Sequence, residues 1–128
     1  MRTIVSARIF ASLIFGAILF QISLAIGMPW GEFAWGGSFP GTLPMYMRVA
    51  SLVQALLLLA FVIIVLVRAG VFLPDWQPIS KKLVWAVVVY CGLGVIANAI
   101  TPSFWERIIW LPVLIISFAS SYVVAKGR

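Results

Sequence analysis

Four long apolar runs dominate the chain and alternate with short segments that hold its charges and most of its prolines. The runs cover approximately residues 9–28, 49–67, 83–101 and 108–125, and none of them contains a charged side chain. A helix of roughly 20 apolar residues crosses the hydrocarbon core of a bilayer, which is about 30 Å thick. The pattern therefore predicts one all-α membrane domain, residues 1–128, in which four transmembrane helices form an antiparallel bundle.

The composition agrees with this pattern. Hydrophobic residues make up 64% of the 128 residues and charged residues only 9%, whereas soluble domains are about half apolar and about a quarter charged. A soluble fold of this size cannot hide so much apolar surface, so soluble enzymes and disordered tails are excluded. The first run follows Arg2 and Arg8 as in a signal peptide, but it is longer than the apolar region of such peptides, and we interpret it as a retained span.

The residue types that usually perform catalysis or hold cofactors are scarce. The chain has no histidine and one cysteine, Cys91, which excludes histidine-ligated haem, histidine-based metal sites and an intrachain disulfide. We therefore expect no cofactor, no metal site and no enzyme activity. The net charge of +6 would indicate nucleic-acid binding in a soluble domain. Here the basic residues lie between apolar runs, so membrane lipid is the expected partner and nucleic acid is not.

Lysine and arginine are distributed unequally between the two sides that the runs define. Seven lie on the side of the two termini and the second linker, and two lie on the other side. Because basic residues are in excess in cytoplasmic segments, we expect a multi-pass protein of the cell (inner) membrane with both termini in the cytoplasm. All six tryptophans fall near the ends of the runs, as an aromatic belt requires. The seven basic residues are Arg2, Arg8, Arg68, Lys81, Lys82, Lys126 and Arg128, and the other two are Arg48 and Arg107.

Three amide side chains inside the runs fall at one depth. Gln21, Gln54 and Asn98 each lie a few residues from the predicted outer end of their span, which places them within roughly 10 Å of that boundary at a rise of 1.5 Å per residue. One interpretation is a small polar pocket that opens outward. The alternative is hydrogen bonding between helices, which contributes about 0.6 kcal/mol for each bond.

The first outer loop, residues 29–47, is rich in aromatic residues, proline and glycine. Aromatic side chains are costly to leave in water, and proline and glycine favour fixed turns. We therefore predict that this loop and the second outer segment, residues 102–107, form one ordered cap over the bundle. The two segments share a Trp, a following Glu, a second Trp and a Leu-Pro pair, which indicates either a diverged repeat or a chance likeness. The candidate cap residues are Trp30, Glu32, Trp35, Arg48, Trp105, Glu106, Arg107 and Trp110.

The four charges of the predicted cap sum to zero. Charges beside a low-dielectric bundle are less screened than in water, and the planar guanidinium of arginine suits a carboxylate. We expect ion pairs across the loops, Glu106 with Arg48 or Glu32 with Arg107. The alternative is that each charge is solvated singly among the lipid headgroups.

One sequence block resembles a known family. The block GxPWGxxAWGG…PGxLP at residues 27–44, followed by Arg48 and Ser51, is similar to a signature of small four-helix bacterial membrane proteins. That family also has a segment similar to Ala97-Asn98 and to Ser103-(x2)-Glu106-Arg107-(x2)-Trp110-(x)-Pro112. The resemblance covers nearly the whole chain. It implies a location in a bacterial inner membrane and implies no activity.

Two main functional hypotheses remain. The first is a structural or accessory membrane component that binds a protein partner or a second copy of itself. The second is the binding or transport of a small molecule or lipid through an outward-facing polar pocket. An enzyme would have to use Glu32 or Glu106 at the membrane surface, and nothing in the sequence resembles a catalytic constellation.

Overall fold

Four long α-helices make up most of the structure. The computed structural model describes residues 2–127, so that Met1 and Arg128, one of the basic residues counted above, lie outside the described residues. Each helix is long and apolar enough to cross a membrane, which confirms the prediction of an all-α, four-helix integral membrane protein. The helices are α1 (Arg2–Ala25), α2 (Met45–Arg68), α3 (Gln77–Ile100) and α4 (Phe104–Lys126).

The helices extend beyond the apolar runs that predicted them. α1 begins at Arg2 rather than near residue 9, and α3 begins at Gln77 rather than near residue 83. Backbone hydrogen bonding continues through polar turns, so hydrophobicity marks the membrane span and not the helix end. α1 also ends before residue 28: Gly27 (φ +110°) donates its N–H to Leu24 O, and Met28 donates its N–H to Ser23 O. This glycine-terminated arrangement is a Schellman motif.

The helices pack as an antiparallel ring in chain order. α1 and α3 each contact both α2 and α4, and apolar side chains at helical spacing fill the centre. The outward faces expose Ile, Leu, Val and Phe side chains, as contact with lipid allows. The buried centre includes Phe10, Ile14, Ile18, Leu58, Phe61, Val65, Val84, Val87, Val88, Cys91 and Val124.

The two ends of the bundle differ. At the end that holds both termini, Gln77 Nε2 donates hydrogen bonds to Val67 O (2.6 Å) and Arg68 O (2.9 Å), which satisfies carbonyls that the end of α2 leaves free. The opposite end holds the connection between α1 and α2, residues 26–44, and the short connection between α3 and α4, residues 101–103. We call it the cap end.

Candidate ligand-binding cavity and its cap

The first connection folds over the cap end as two short 3₁₀ turns, Gly31–Phe33 and Trp35–Gly37. Gly31 N donates to Gly41 O (2.9 Å), which closes the loop on itself. A Cβ on Gly31 would lie 1.8 Å from Phe39 O, so only glycine fits there. Leu24 and Leu43 are buried beneath these turns. The loop is therefore an ordered structure with its own small core.

Three consecutive residues of the second turn have a left-handed backbone. Trp35 (φ +52°), Gly36 (φ +68°) and Gly37 (φ +74°) form a local bend. Glycine adopts such a conformation without strain, whereas tryptophan does not. For a residue with a Cβ this conformation costs roughly 1–2 kcal/mol. The Trp35 indole Nε1 donates to Ser51 Oγ on α2 (3.1 Å), and Ser51 is fully buried. This bond helps to hold Trp35 in its strained conformation.

Glu106 joins α4 to the bend. It lies in the first turn of α4, where Ser103 caps the helix by accepting a hydrogen bond from Glu106 N (3.2 Å). In a capping box the glutamate side chain would return to the backbone of Ser103. Here its Oε2 instead accepts a hydrogen bond from Gly36 N (3.0 Å), 70 residues away in the sequence. Helix capping predicts that this carboxylate bonds within the first turn of its own helix. Instead it connects the first loop to α4.

Two more hydrogen bonds connect the same two segments. Ser103 Oγ donates to Glu32 O (2.9 Å), and the Trp110 indole Nε1 donates to Phe33 O (2.8 Å). Ring contacts add to these bonds: Phe33 lies 6.0 Å from Trp105, between ring centroids. These contacts join the connection between α1 and α2 to the start of α4 in a single cap over this end of the bundle.

The charges of the cap do not make the expected ion pairs among the described residues. Arg48 Nε donates to Ala25 O (2.9 Å) at the end of α1, and Arg107 Nη1 donates to Thr101 O (2.6 Å) at the end of α3. Both guanidinium groups thereby satisfy carbonyls that helix ends leave free. Glu106 bonds to the backbone instead, and Glu32 is exposed. Glu106 and Arg107 lie in the first turn of α4, which begins at Phe104 and not near residue 108 where the apolar run begins.

A cavity of about 460 Å³ lies beneath the cap, within the cap-end half of the bundle. All four helices and the bend at 33–36 contribute to its wall. Most of the wall is aliphatic or aromatic, and one carboxylate, Glu106, faces it although only 8% of this residue is exposed. The aromatic lining residues are Phe20, Phe33, Trp35, Tyr90 and Trp110.

The three amides predicted to share one depth all line this cavity. Gln54 Nε2 donates to the hydroxyl of Tyr90 on α3, and Asn98 Nδ2 donates to Gly94 O in its own helix (2.8 Å). Gln21 Oε1 is buried and has no hydrogen-bond partner among the described residues. Gln54 thus makes the interhelical hydrogen bond that one interpretation in the sequence analysis expected. The outward-opening pocket of the other interpretation stays a prediction.

The candidate cap residues have separate roles. Trp35, Glu106 and Trp110 line the cavity. Trp30 stacks on Phe20 with ring centroids 6.4 Å apart and planes 7° apart, and Trp105 is half exposed on the outside of the cap. The sequence analysis overlooked Tyr90, and it named Ser51 and Ser103 only as parts of the family signature, without a structural role. The spacing of Ser103 and Glu106 is that of a capping box, a signal that would have identified Ser103.

The arrangement is suited to binding. Its polar groups are few and surrounded by apolar wall, which is the usual form of a small-molecule site. Among residues 2–127 no group of three or more cysteine, aspartate or glutamate side chains comes together as it would to hold a metal ion. Comparisons of the chain with protein-family models, with curated proteins and with solved structures give no match. The resemblance to small four-helix bacterial membrane proteins stays a prediction.

Proposed function

We propose that the protein binds a small amphipathic molecule in the cavity beneath the cap. The observation that supports this best is the meeting of four polar residues in one cavity of about 460 Å³ whose remaining wall is apolar. Protein sites for small molecules have volumes of about 300–1,000 Å³ and this same composition. The four polar residues are Gln21, Gln54, Asn98 and Glu106.

The cavity favours binding over the structural or accessory role that the sequence analysis placed first. The cavity is partly open to the surface of the bundle, because the exposed side chains of Leu93 and Ala97 belong to its wall. A ligand can therefore enter it without unfolding of the helices. The burial of a carboxylate beside an apolar wall is costly, and a ligand with a polar group that contacts Glu106 would lower this cost.

The proposal includes a sidedness. The excess of basic residues on the terminal side supports a cavity that faces the outer side of the cell (inner) membrane. Both termini then lie in the cytoplasm. The resemblance of residues 27–44 to a bacterial family supports a bacterial source for this membrane. Cap and cavity would then meet molecules that arrive from outside the cell or from the outer leaflet.

Photolabelling of the purified protein tests the proposal. The probe is a single-chain alcohol with a photo-activatable diazirine, applied to protein in phosphatidylcholine nanodiscs, and the labelled peptides are identified by mass spectrometry. We expect labelling of cavity residues that saturates with probe concentration and is abolished by an excess of the unlabelled alcohol.

Two alanines of α3 provide a matched pair of variants. Ala97 lines the cavity and Ala99, two residues later, does not, although both are exposed on the helix surface. Ala97→Phe should remove the saturable labelling by filling the cavity, and Ala99→Phe should leave it unchanged. Labelling that is confined to the outward faces of the helices, or that both variants reduce equally, would contradict a binding cavity.

A further inference from the structure

We infer that the molecule bound in this cavity is a cation, a protonated amine attached to an apolar body, and that Glu106 is its counter-charge. This inference rests on the proposed function and adds the chemical class of the ligand. The neighbours of Glu106, the hydrogen-bonding groups of the wall and its aromatic rings each support it.

The first support is the local environment of Glu106. The carboxylate lies at the N-terminus of α4, where the helix dipole favours negative charge, and Gly36 N donates to one of its oxygens. The two arginines of the cap end, Arg48 and Arg107, donate to backbone carbonyls at other helix ends. Among residues 2–127, no lysine or arginine lines the cavity. The charge of Glu106 is therefore left for a ligand to neutralise.

The second support is that two amide oxygens of the wall are available as hydrogen-bond acceptors. Gln54 and Asn98 each use their side-chain nitrogen in a bond within the protein, and the oxygens of these two amides accept no hydrogen bond from another described residue. The indole N–H groups of Trp35 and Trp110 are bonded to Ser51 Oγ and Phe33 O and are therefore not available to an anion. An ammonium group, which only donates, can bond to the two amide oxygens.

The third support is the aromatic wall. Five aromatic side chains line the cavity with Glu106, and Phe20 packs against Trp110 with ring centroids 4.9 Å apart. The faces of aromatic rings attract cations, and a carboxylate among aromatic rings is a common way to recognise an ammonium group. An anionic headgroup would meet the charge of Glu106 with no compensating cation in the wall, so carboxylates and phosphates are disfavoured.

A competition experiment on the wild-type protein tests this charge preference. Three unlabelled compounds with the same alkyl chain, an amine, an alcohol and a carboxylic acid, compete with the photo-activatable alcohol. We expect the amine to compete at a concentration about tenfold lower than the alcohol, because a charge-assisted hydrogen bond replaces a neutral one, and the acid to compete least. Equal competition by the three would overturn the cation preference but leave the binding cavity intact. Absence of saturable labelling would instead overturn the proposed function.

Two glutamate variants assign the preference to a residue. Glu106→Gln removes the charge and retains an oxygen that can accept from Gly36 N, so the cap should keep its structure. Glu32→Gln removes the exposed carboxylate of the first loop, a side chain that does not line the cavity. The amine-to-alcohol ratio should fall to about one in Glu106→Gln and stay at about ten in Glu32→Gln. An unchanged amine-to-alcohol ratio in Glu106→Gln, or a fall of the ratio in both variants, would overturn the assignment to Glu106. If a variant does not fold, the competition experiment on the wild-type protein still tests the charge preference.

The amine can belong to a free molecule or to a lipid headgroup, and the composition of the nanodisc separates these sources. The labelling is repeated with part of the phosphatidylcholine replaced by phosphatidylethanolamine, which has a primary amine. Reduced labelling of cavity residues would support a lipid headgroup as the source of the amine, and unchanged labelling together with competition by the single-chain amine would support a free amphiphile. If phosphatidylethanolamine reduces the labelling of Glu106→Gln as much as that of the wild type, the inference is contradicted, because the lipid amine would then compete without its counter-charge.

Discussion

The carboxylate of Glu106 accepts a hydrogen bond from the backbone N–H of Gly36 at 3.0 Å. This bond connects the start of α4 to the left-handed bend of the first loop. The same bend places Trp35 against Ser51 of α2. One buried acidic side chain therefore holds the cap in place and also supplies the charge of the cavity wall.

Removal of the Glu106 side chain should loosen the cap. Glu106→Ala leaves the Gly36 N–H without its acceptor, and hydrogen bonds to charged groups contribute about 1.5–3 kcal/mol. We expect the free energy of unfolding in detergent to fall by about this amount, and to fall much less in Glu106→Gln. Glu32→Ala, which removes an exposed side chain, is the control and should unfold like the wild type. Equal stability of Glu106→Ala and wild type would show that the bond does not stabilise the cap.

Reversal of the Glu106 and Arg48 charges should give no rescue. The ion pair expected from the sequence would make Arg48→Glu compensate in part for Glu106→Arg. In the structure these residues bond to different backbone groups, so the losses of the single variants should add to within about 0.5 kcal/mol in the double variant. Thermal unfolding of the four proteins measures the cycle. A double variant that is clearly more stable than the sum of the two single losses predicts would show that Glu106 and Arg48 interact as an ion pair.

The membrane spans were predictable because hydrophobicity is nearly sufficient to define them. Long uncharged runs have to lie in lipid, and all four correspond to helices. The helix ends were less predictable, since the polar turns at 77–82 and 104–107 are also helical. Glu106 illustrates the consequence: it lies outside the apolar run, and its burial cannot be inferred from that position.

The depth of the amides was predictable, but their partners were not. A rise of 1.5 Å per residue places Gln21, Gln54 and Asn98 at one level, and all three line one cavity. The partner of each depends on helix rotation and on the neighbouring helix. Tyr90 is one such partner that spacing along a single helix does not reveal. The ion pairs failed for a related reason, since helix-end carbonyls compete with carboxylates for each guanidinium group.

Gly31 should tolerate no side chain. A Cβ there would overlap Phe39 O, and the loop would have to open. We expect Gly31→Ala to lower the free energy of unfolding by more than 2 kcal/mol, in the range of severe packing defects. Gly16→Ala on α1 is the matched control, because open space surrounds that position and alanine is the better helix former by about 1 kcal/mol. Similar effects of the two substitutions would contradict the tight packing of the loop.

The orientation in the membrane can be tested with reporter fusions. A reporter that is active only outside the cytoplasm should be inactive when fused after Arg128 and active when fused after Phe39 in the first loop. The physical reason is the excess of basic residues on the side of the termini. A fusion after Ala69, between α2 and α3, is the control for the cytoplasmic side and should be inactive. Activity of the fusions after Arg128 and Ala69 would reverse the proposed orientation.

Replacement of Gln54 should lower the stability of the protein more than replacement of Asn98. Gln54 bonds to Tyr90 on the neighbouring helix, whereas Asn98 bonds only to a carbonyl of its own helix. Bonds between membrane helices contribute about 0.6 kcal/mol on average and up to about 1.7 kcal/mol. We expect Gln54→Leu to lower stability by an amount in this range and Asn98→Leu to lower it less. Combined with Tyr90→Phe in a double-mutant cycle, Gln54→Leu should show a coupling energy of similar size, and Asn98→Leu should show none.

The same two variants also test ligand contact. Because both residues line the cavity, each leucine variant should weaken labelling by the photo-activatable alcohol. A variant that retains full labelling would remove its residue from the binding site without affecting the stability result.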